Sequence, residues 1–387
     1  MYTVMLSAGE ASGDLHGAGI ATALKKIAPD IRLLGMGGQA MRQAGVDIRY
    51  DIAEYSVMGF LEVVKNLPRL FKLRDNLVDI MRREKPDILV IIDYPDFNLR
   101  LAKCAKQLGI PVFSYIPPSA WAWRQGRAKQ VAALADQIAA IFPFEMPVYE
   151  AAGAKIAFVG NPLVEMVSMK LDEVATRQYF DISDDQLTIL LLPGSRRQEV
   201  MSLLPVMLEA AVKFKESYPK AQFFLPVAST ISTELLEPLL SQYNVKVKLV
   251  NAHVYELMHI ADAAIATSGT VTLEAALAGL PSVVVYKMAQ FSYSIARCFI
   301  KIPNVSLPNI IAGERIIPEL LQSEVTASNV VRELSKLLPD NPTGQEVRQK
   351  LYAIKTEMGP PGAATRTAEL ILATIQQSSN KQSSQSI

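Results

Sequence analysis

Short, nearly unbroken apolar runs recur along the chain, and between them lie longer stretches in which apolar residues return every three or four positions. The short runs are rich in Val, Ile and Leu and read as strands buried on both faces, while the longer stretches read as amphipathic helices that cover them. On this basis strands fall at residues 3–7, 31–36, 88–92, 112–115, 137–142 and 155–159. A second series, at 188–192, 222–227, 246–250, 263–267 and 282–286, begins after Asn161-Pro162 and a polar stretch that ends near Asp185. Strand alternating with helix is the rhythm of a parallel sheet wound on both sides, so the chain is expected to form two doubly wound, Rossmann-like α/β domains. The expected domains are 1–165 and 166–340, followed by helices at 341–375 that pack back on the first domain of the same or a partner chain. From about Pro318 the pattern is helical only, and the Gln/Ser-rich tail at 376–387 is expected to be disordered.

A chain of 387 residues can give each of two domains its own core. The near balance of 39 basic and 38 acidic residues, net +1, gives no case for a nucleic-acid partner. Cys104 and Cys298 lie far apart, with neither metal spacing nor a disulfide framework, which suits a reducing cytoplasm. The residues ahead of the first strand are too few for a signal peptide, and no apolar run approaches the ~18 residues needed to span a bilayer. Half of the residues are nevertheless hydrophobic and the mean hydropathy is +0.19, which points to an exposed apolar patch. Three histidines without ligand spacing, and the poor geometry of Asp93 with Asp96, indicate no bound metal.

Two stretches concentrate the candidate chemistry. Pro193-Gly194-Ser195-Arg196-Arg197 follows the run 188–192, and Ser268-Gly269-Thr270 follows 263–267. Each is a strand entering a glycine turn and then a helix, which aims unpaired N–H groups and the positive end of a helix dipole at one point and favours a phosphate or diphosphate. Arg196 adds charge-assisted bonds to the same anion. Glu274 lies one helical turn beyond Thr270, where a carboxylate would accept hydrogen bonds from sugar hydroxyls and repel a phosphate, so a nucleotide carrying both groups fits.

In the first half, Ser7-Ala8-Gly9-Glu10-Ala11-Ser12-Gly13-Asp14 follows the first strand and opens a helix. Glu10, Ser12, Gly13 and Asp14 are the candidate substrate-facing residues of this loop, the alternative being a turn that only lets helix and strand pack. No Gly-Lys-Ser/Thr follows, and the second strand ends at Gly37-Gly38 without the acidic residue of a dinucleotide fold. Asp93 ends the very apolar run 88–92, where desolvation would raise its pKa and suit it to accept a proton from a hydroxyl; a capping role is the alternative. Asp96 is expected to cap the helix that begins after Pro95.

Over 57–77 the apolar residues exceed what one helix face buries. Phe60, Val63, Val64, Leu67, Leu70 and Phe71 alternate with Lys65, Arg69, Lys72 and Arg74, a pattern that suits an anionic membrane surface; a core-packed helix with a solvated basic face is the alternative. Phe291, Tyr293, Ile295, Phe299 and Ile300, with Arg297 and Lys301, form a candidate second lip of the same entrance. Trp121 and Trp123 read as cleft lining, with ordinary interdomain packing as the alternative.

Taken together, the segments 7–14, Val57-Met58-Gly59, 93–98, 118–124, 192–196, Ser268 to Glu274 and Ser306-Leu307-Pro308-Asn309 resemble the lipid-A-disaccharide synthases, and the match runs from the first strand to about residue 320. The resemblance implies an inverting family-19 glycosyltransferase of GT-B fold with a cleft between its two domains. The implied reaction joins UDP-2,3-diacylglucosamine to 2,3-diacylglucosamine 1-phosphate (lipid X) and yields lipid A disaccharide 1-phosphate and UDP, with no cofactor. By the same resemblance Asp93 is the essential aspartate, Arg196 the diphosphate arginine and Asn309 an essential asparagine. Gly194, Ser195, Ser268, Gly269 and Thr270 would meet the diphosphate, Glu274 the ribose, and Lys287 and Met288 would lie beside the nucleotide. The implied setting is peripheral, on the inner face of the cytoplasmic membrane, and a homodimer through the C-terminal helices is compatible with it. Two alternatives stand beside this reading. One is another GT-B enzyme on a UDP-sugar, a UDP-N-acetylglucosamine 2-epimerase or an N-acetylglucosaminyltransferase, with no need of the basic apolar segment. The more remote is a non-enzymatic nucleotide-sugar-binding or scaffold protein, in which a buried Asp93 would be gratuitous.

Overall fold

The computed structural model describes residues 1–54, 60–118, 125–228, 230–287 and 304–385, apart from the side chains of 60–67, 125 and 381–385. Val57, Met58, Gly59, Trp121, Trp123, Met288, Cys298 and the candidate lip from Phe291 to Lys301 lie outside the described residues, as do the side chains of Phe60, Val63, Val64 and Leu67. The chain divides into two compact units, Met1–Pro162 with Met358–Ile387, and Leu163–Glu357.

The first unit is built on seven parallel strands: β1 (Thr3–Ala8), β2 (Arg32–Gly37), β3 (Asp47–Asp51), β4 (Ile88–Ile92), β5 (Val112–Tyr115), β6 (Gln137–Ala140) and β7 (Ile156–Phe158). Their order is β3-β2-β1-β4-β5-β6-β7, and Ser7 pairs with Ile91 and Ala8 with Ile92 across β1 and β4. The pleat explains why β4 is apolar throughout and β1 is apolar but for Thr3 and Ser7. Met5, Leu89 and Ile91 enter one core with Leu77 and Leu101, while Val4, Leu6, Ile88, Val90 and Ile92 enter another with Ile20 and Leu24.

The helix Ala363–Gln385 returns to this unit and lies along the helix Ala11–Ile27, burying Ala368, Ile371 and Ile375 in the second core. The stretch expected to be a disordered tail is therefore helical through Gln385. Docking of Ile371 and Ile375 overrides the polar composition, and the Ser378 and Ser379 hydroxyls donate to the Thr374 and Ile375 carbonyls one turn back.

The second unit carries six parallel strands: β8 (Thr188–Leu192), β9 (Gln222–Pro226), β10 (Val247–Val250), β11 (Ala263–Thr267), β12 (Ser282–Tyr286) and β13 (Glu319–Leu321). Their order is β10-β9-β8-β11-β12-β13. The helix Pro342–Glu357 packs on the helix Thr270–Leu277 of this unit, so of the C-terminal helices expected to return to the first domain only Ala363–Gln385 does so.

The expectation of helix alone beyond Pro318 fails at β13, and β3 was not anticipated either. Both are sheet edges. Asp47-Ile48-Arg49-Tyr50-Asp51 carries polar residues that water can solvate from one side, and β13 is three residues long, so neither shows the apolar run of a central strand. In each sheet the winding direction reverses between two central strands, β1 and β4 in one and β8 and β11 in the other, which opens a crevice at their carboxyl ends.

Candidate active site

In the second unit β8 leads into Pro193-Gly194-Ser195 and the helix Arg197–Ser217, with Arg196 as an extended N-cap. β11 leads into Ser268-Gly269 and the helix Thr270–Leu277. Gly194 has φ +107°, and a Cβ there would fall 2.4 Å from a Glu199 carboxylate oxygen and 3.2 Å from the Thr267 methyl. Only glycine allows this turn its conformation and its closeness to β11. Around the two turns lies a cavity of about 560 Å³, lined also by Pro226 at the end of β9 and by Val254, Tyr255 and Met258.

Glu274 faces this cavity from the first turns of its helix. Burial holds its carboxyl above the ordinary value, and it has no hydrogen-bond partner among the described residues. A carboxylate so placed calls for hydroxyl donors from a ligand. Burial, joined by the charge of Glu274, pushes the Tyr255 phenol up to about 12, so Tyr255 remains a donor at neutral pH. Arg196 is 82% exposed and its Nη1 meets Glu199 Oε1 at 2.9 Å. An exposed pair of this kind is worth about 0–1 kcal/mol, so a diphosphate can recruit the guanidinium at little cost.

The Ser268 hydroxyl donates to the Val305 carbonyl at 2.8 Å and that of Thr272 to Gly269 O at 2.7 Å. These side chains shape the turn, and with its hydroxyl proton committed Ser268 can donate to an anion only through its backbone N–H. Lys287, after β12, is half-buried and is not among the residues lining the cavity.

Asn309 is wholly buried. Its Nδ2 donates to Ile317 O at 2.9 Å and Glu319 Oε1 at 2.8 Å, and its Oδ1 accepts from the N–H groups of Ile316 and Ile317 at 2.8 and 3.0 Å. Two donors and two acceptor sites are thereby filled, so the amide acts through its neighbours rather than on a substrate.

In the first unit the chain leaves β4 through two residues in the left-handed region, Asp93 (φ +46°) and Tyr94 (φ +49°), and leaves β5 through Ile116 at φ +55°. Non-glycine residues there, a β-branched one above all, cost about 1–3 kcal/mol each and persist only when their surroundings hold them. Asn98, wholly buried on the helix Pro95–Gln107, does part of that holding. Its Nδ2 lies 2.8, 3.1 and 3.2 Å from the carbonyls of Asp93, Ser7 and Ile92, while its Oδ1 accepts the Ser7 hydroxyl at 2.7 Å. The carboxyl ends of β1 and β4 are thus tied together beneath Asp93, whose carboxyl burial holds above its ordinary value. Sequence reasoning assigned Asn98 no role; the available signal was a polar residue on a helix face otherwise made of Leu101, Ala102 and Ala105.

Asp96 does not cap this helix. Pro95 is the first helical residue and Tyr94 the cap, which leaves Asp96 inside the first turn, paired with Arg127. Gly9 accommodates the Tyr94 ring, since a Cβ there would sit 2.1 Å from Tyr94 Cδ1. Glu10 and Ser12 are exposed, and Gly13 brings the helix against Ala8. Asp14, expected to face a substrate, turns inward instead, accepting from the N–H groups of Gly38, Ala40 and Met41 at 2.7, 2.9 and 3.1 Å at the start of the helix Gln39–Gln43. Of the basic apolar stretch, Leu70 is half-buried against the core. Phe71 is 39% exposed, with the Arg74 and Arg100 guanidinium carbons 5.2 and 5.3 Å from its ring centre. Among the described residues no helix is long and apolar enough to cross a membrane, and no three His, Cys, Asp or Glu side chains gather as metal ligands.

Two doubly wound parallel sheets, the second with paired glycine turns at helix starts beside its crevice, define the GT-B class, and solved structures agree. The UDP-GlcNAc 2-epimerase of Neisseria meningitidis, bound to UDP-GlcNAc, superposes with a TM-score of 0.64 at 15% identity over 97% of this chain and 100% of its own. MurG of Acinetobacter baumannii does so with 0.62 at 15% identity over 96% and 99%. At such identities the likeness is one of fold.

The family follows from sequence. The lipid-A-disaccharide synthetase family pattern matches residues 4–371. The lipid-A-disaccharide synthase of Nitrosococcus oceani is 42% identical over 96% of both chains, and that of Geobacter sulfurreducens 38% identical over 96% of this chain and 97% of its own. The chain belongs to the lipid-A-disaccharide synthetase family.

Proposed function

We infer that this chain is an inverting glycosyltransferase of lipid A biosynthesis, joining UDP-2,3-diacylglucosamine to 2,3-diacylglucosamine 1-phosphate and releasing UDP. Beyond family membership, one observation carries the nucleotide-sugar assignment: the Glu274 carboxylate, without a hydrogen-bond partner among the described residues, shares a cavity with two glycine turns at helix starts. Hydroxyl donors satisfy the first and a diphosphate the second.

In the reaction the acceptor 6-hydroxyl oxygen attacks the anomeric carbon of the donor from the face opposite UDP. The new C–O bond forms as the anomeric C–O(phosphate) bond breaks, and its electron pair leaves with UDP. Asp93 takes the hydroxyl proton, a role to which its raised pKa is suited. Arg196 and the backbone N–H groups of the Gly194 and Gly269 turns meet the charge growing on the diphosphate, a preorganised stabilisation worth on the order of 3 kcal/mol per donor. Glu274 holds the ribose and thereby the register of the donor.

Both substrates carry acyl chains, so the enzyme would take them from a bilayer border on the cytoplasmic side. Phe71 flanked by Arg74 and Arg100 supports a peripheral membrane contact in which the ring enters the interface and the arginines meet anionic headgroups. The test is mass spectrometry of the products formed from the two acylated glucosamines. A β-1′,6-linked disaccharide 1-phosphate, with UDP released only when acceptor is present, is the expected result; UDP release or epimerisation without acceptor would overturn the reading.

A further inference from the structure

The second unit holds a buried carboxylate that the transfer chemistry does not use. Glu319, on the edge strand β13, is 3% exposed and would be costly there without partners. Five donor contacts converge on it. Oε1 accepts from Ser306 Oγ at 2.7 Å, Asn309 Nδ2 at 2.8 Å, Ser306 N at 2.9 Å and Val305 N at 3.1 Å, and Oε2 also accepts from Val305 N at 3.1 Å. The peptide between Val305 and Ser306 is thus gripped from its N–H side, and the Val305 carbonyl is left to receive the Ser268 hydroxyl at 2.8 Å. Ser268 is the first residue of the turn that lines the cavity with Gly269 and Thr270.

We propose that Glu319 and Asn309 are positioning residues for the leaving group: through Val305 and Ser268 they fix the direction in which the Gly269-Thr270 turn presents its N–H groups. An apolar residue would be cheaper to bury at a sheet edge, and a converging polar network is what a single required conformation demands. Asn309, implied by family resemblance to be essential, acquires a physical role without touching a substrate. The inference rests on the nucleotide-sugar reading of the cavity.

The test is a double-substitution cycle read by calorimetric UDP affinity, with thermal midpoints measured alongside. Glu319→Gln keeps the shape but turns one oxygen into an NH₂ that faces N–H donors; Ser268→Ala removes the last link. Each is expected to weaken UDP by about five- to tenfold at temperatures where the variant is folded, in line with loss of one hydrogen-bonded constraint. The double variant should be no worse than the weaker single, because both break one path. A folded Glu319→Gln with wild-type UDP affinity, a silent Ser268→Ala, or effects that multiply in the double would each overturn the proposal. Should Glu319→Gln not fold, Ser306→Ala, which deletes one donor to Glu319, takes its place with the same expectations. Failure of the wild-type chain to bind UDP would overturn the functional reading and this inference with it.

Discussion

The proposed proton acceptor, Asp93, stands at the end of a wholly buried strand, in left-handed backbone and with Asn98 beneath its carbonyl. Asp93→Asn should abolish transfer while UDP affinity, measured by calorimetry, stays within a few fold; equal loss of both would remove Asp93 from the acceptor role. Because its pKa is raised, the ionised form is lost on acidification earlier than for an ordinary carboxylate. The acid limb of kcat should accordingly lie above that of an ordinary aspartate, and a limb at or below it would exclude Asp93 as its source. Arg196→Ala should weaken UDP by about 1.5–3 kcal/mol, the worth of a hydrogen bond to a charged group, since its partner Glu199 offers it only an exposed pair. Unchanged affinity there would place the diphosphate elsewhere.

The helix Phe60–Glu84 shows how one element divides its labour. Leu70, Leu73 and Leu77 turn towards the core, whereas Phe71 stands out between two arginines. Substituting the whole apolar set together would therefore mix two effects, and single changes separate them. Phe71→Ser should lower binding to anionic vesicles, its ring contributing up to about 1.5–3 kcal/mol of apolar transfer, and leave the melting temperature in place. Leu70→Ser should do the reverse, lowering the melting temperature with vesicle binding retained. Co-sedimentation and thermal unfolding on the same two proteins decide the matter, and a loss of folding in Phe71→Ser would return that face to the core.

At the scale of the whole molecule, stability carries a pH signature. Glu145 is buried a few residues past β6, where the described hydrogen bonds to its carboxyl come from backbone N–H groups, and burial pushes its pKa up to about 8 from an ordinary 4.5. Between those values the folded state binds a proton that the unfolded chain releases. Its contribution is present in full below the ordinary value and is lost as pH rises through about 8. Stability should fall across that window by at most about 1.4 kcal/mol per pH unit from this group. Glu145→Gln, neutral throughout, should flatten the dependence and be more stable than the wild type at the alkaline end. Urea unfolding across that range checks this, and parallel curves for the two proteins would exclude Glu145 as the source.

The sequence by itself determined the parts of this protein that depend on near neighbours. Central strands such as β4 and β8 are buried on both faces and must be continuously apolar, so their positions can be read directly, and the glycine turns and Asp93 follow because they end those strands. Motif order sufficed to recognise the family. Only the tertiary structure decided what polar side chains do. Asp14, in the first turn of the helix that follows β1, and Asp93, directly past the end of β4, both follow central strands of one sheet, yet one closes on N–H groups 24 to 27 residues away while the other has its carboxyl buried and its pKa raised. Asn309 and Glu319 were separable from ordinary loop and edge residues only once Ser306, Ile316 and Ile317 had been brought around them. The edge strands β3 and β13 and the helical end of the chain were hidden for the same reason. Periodicity is a property of consecutive residues, whereas hydrogen-bond satisfaction and docking against a distant surface are properties of residues that the fold makes adjacent.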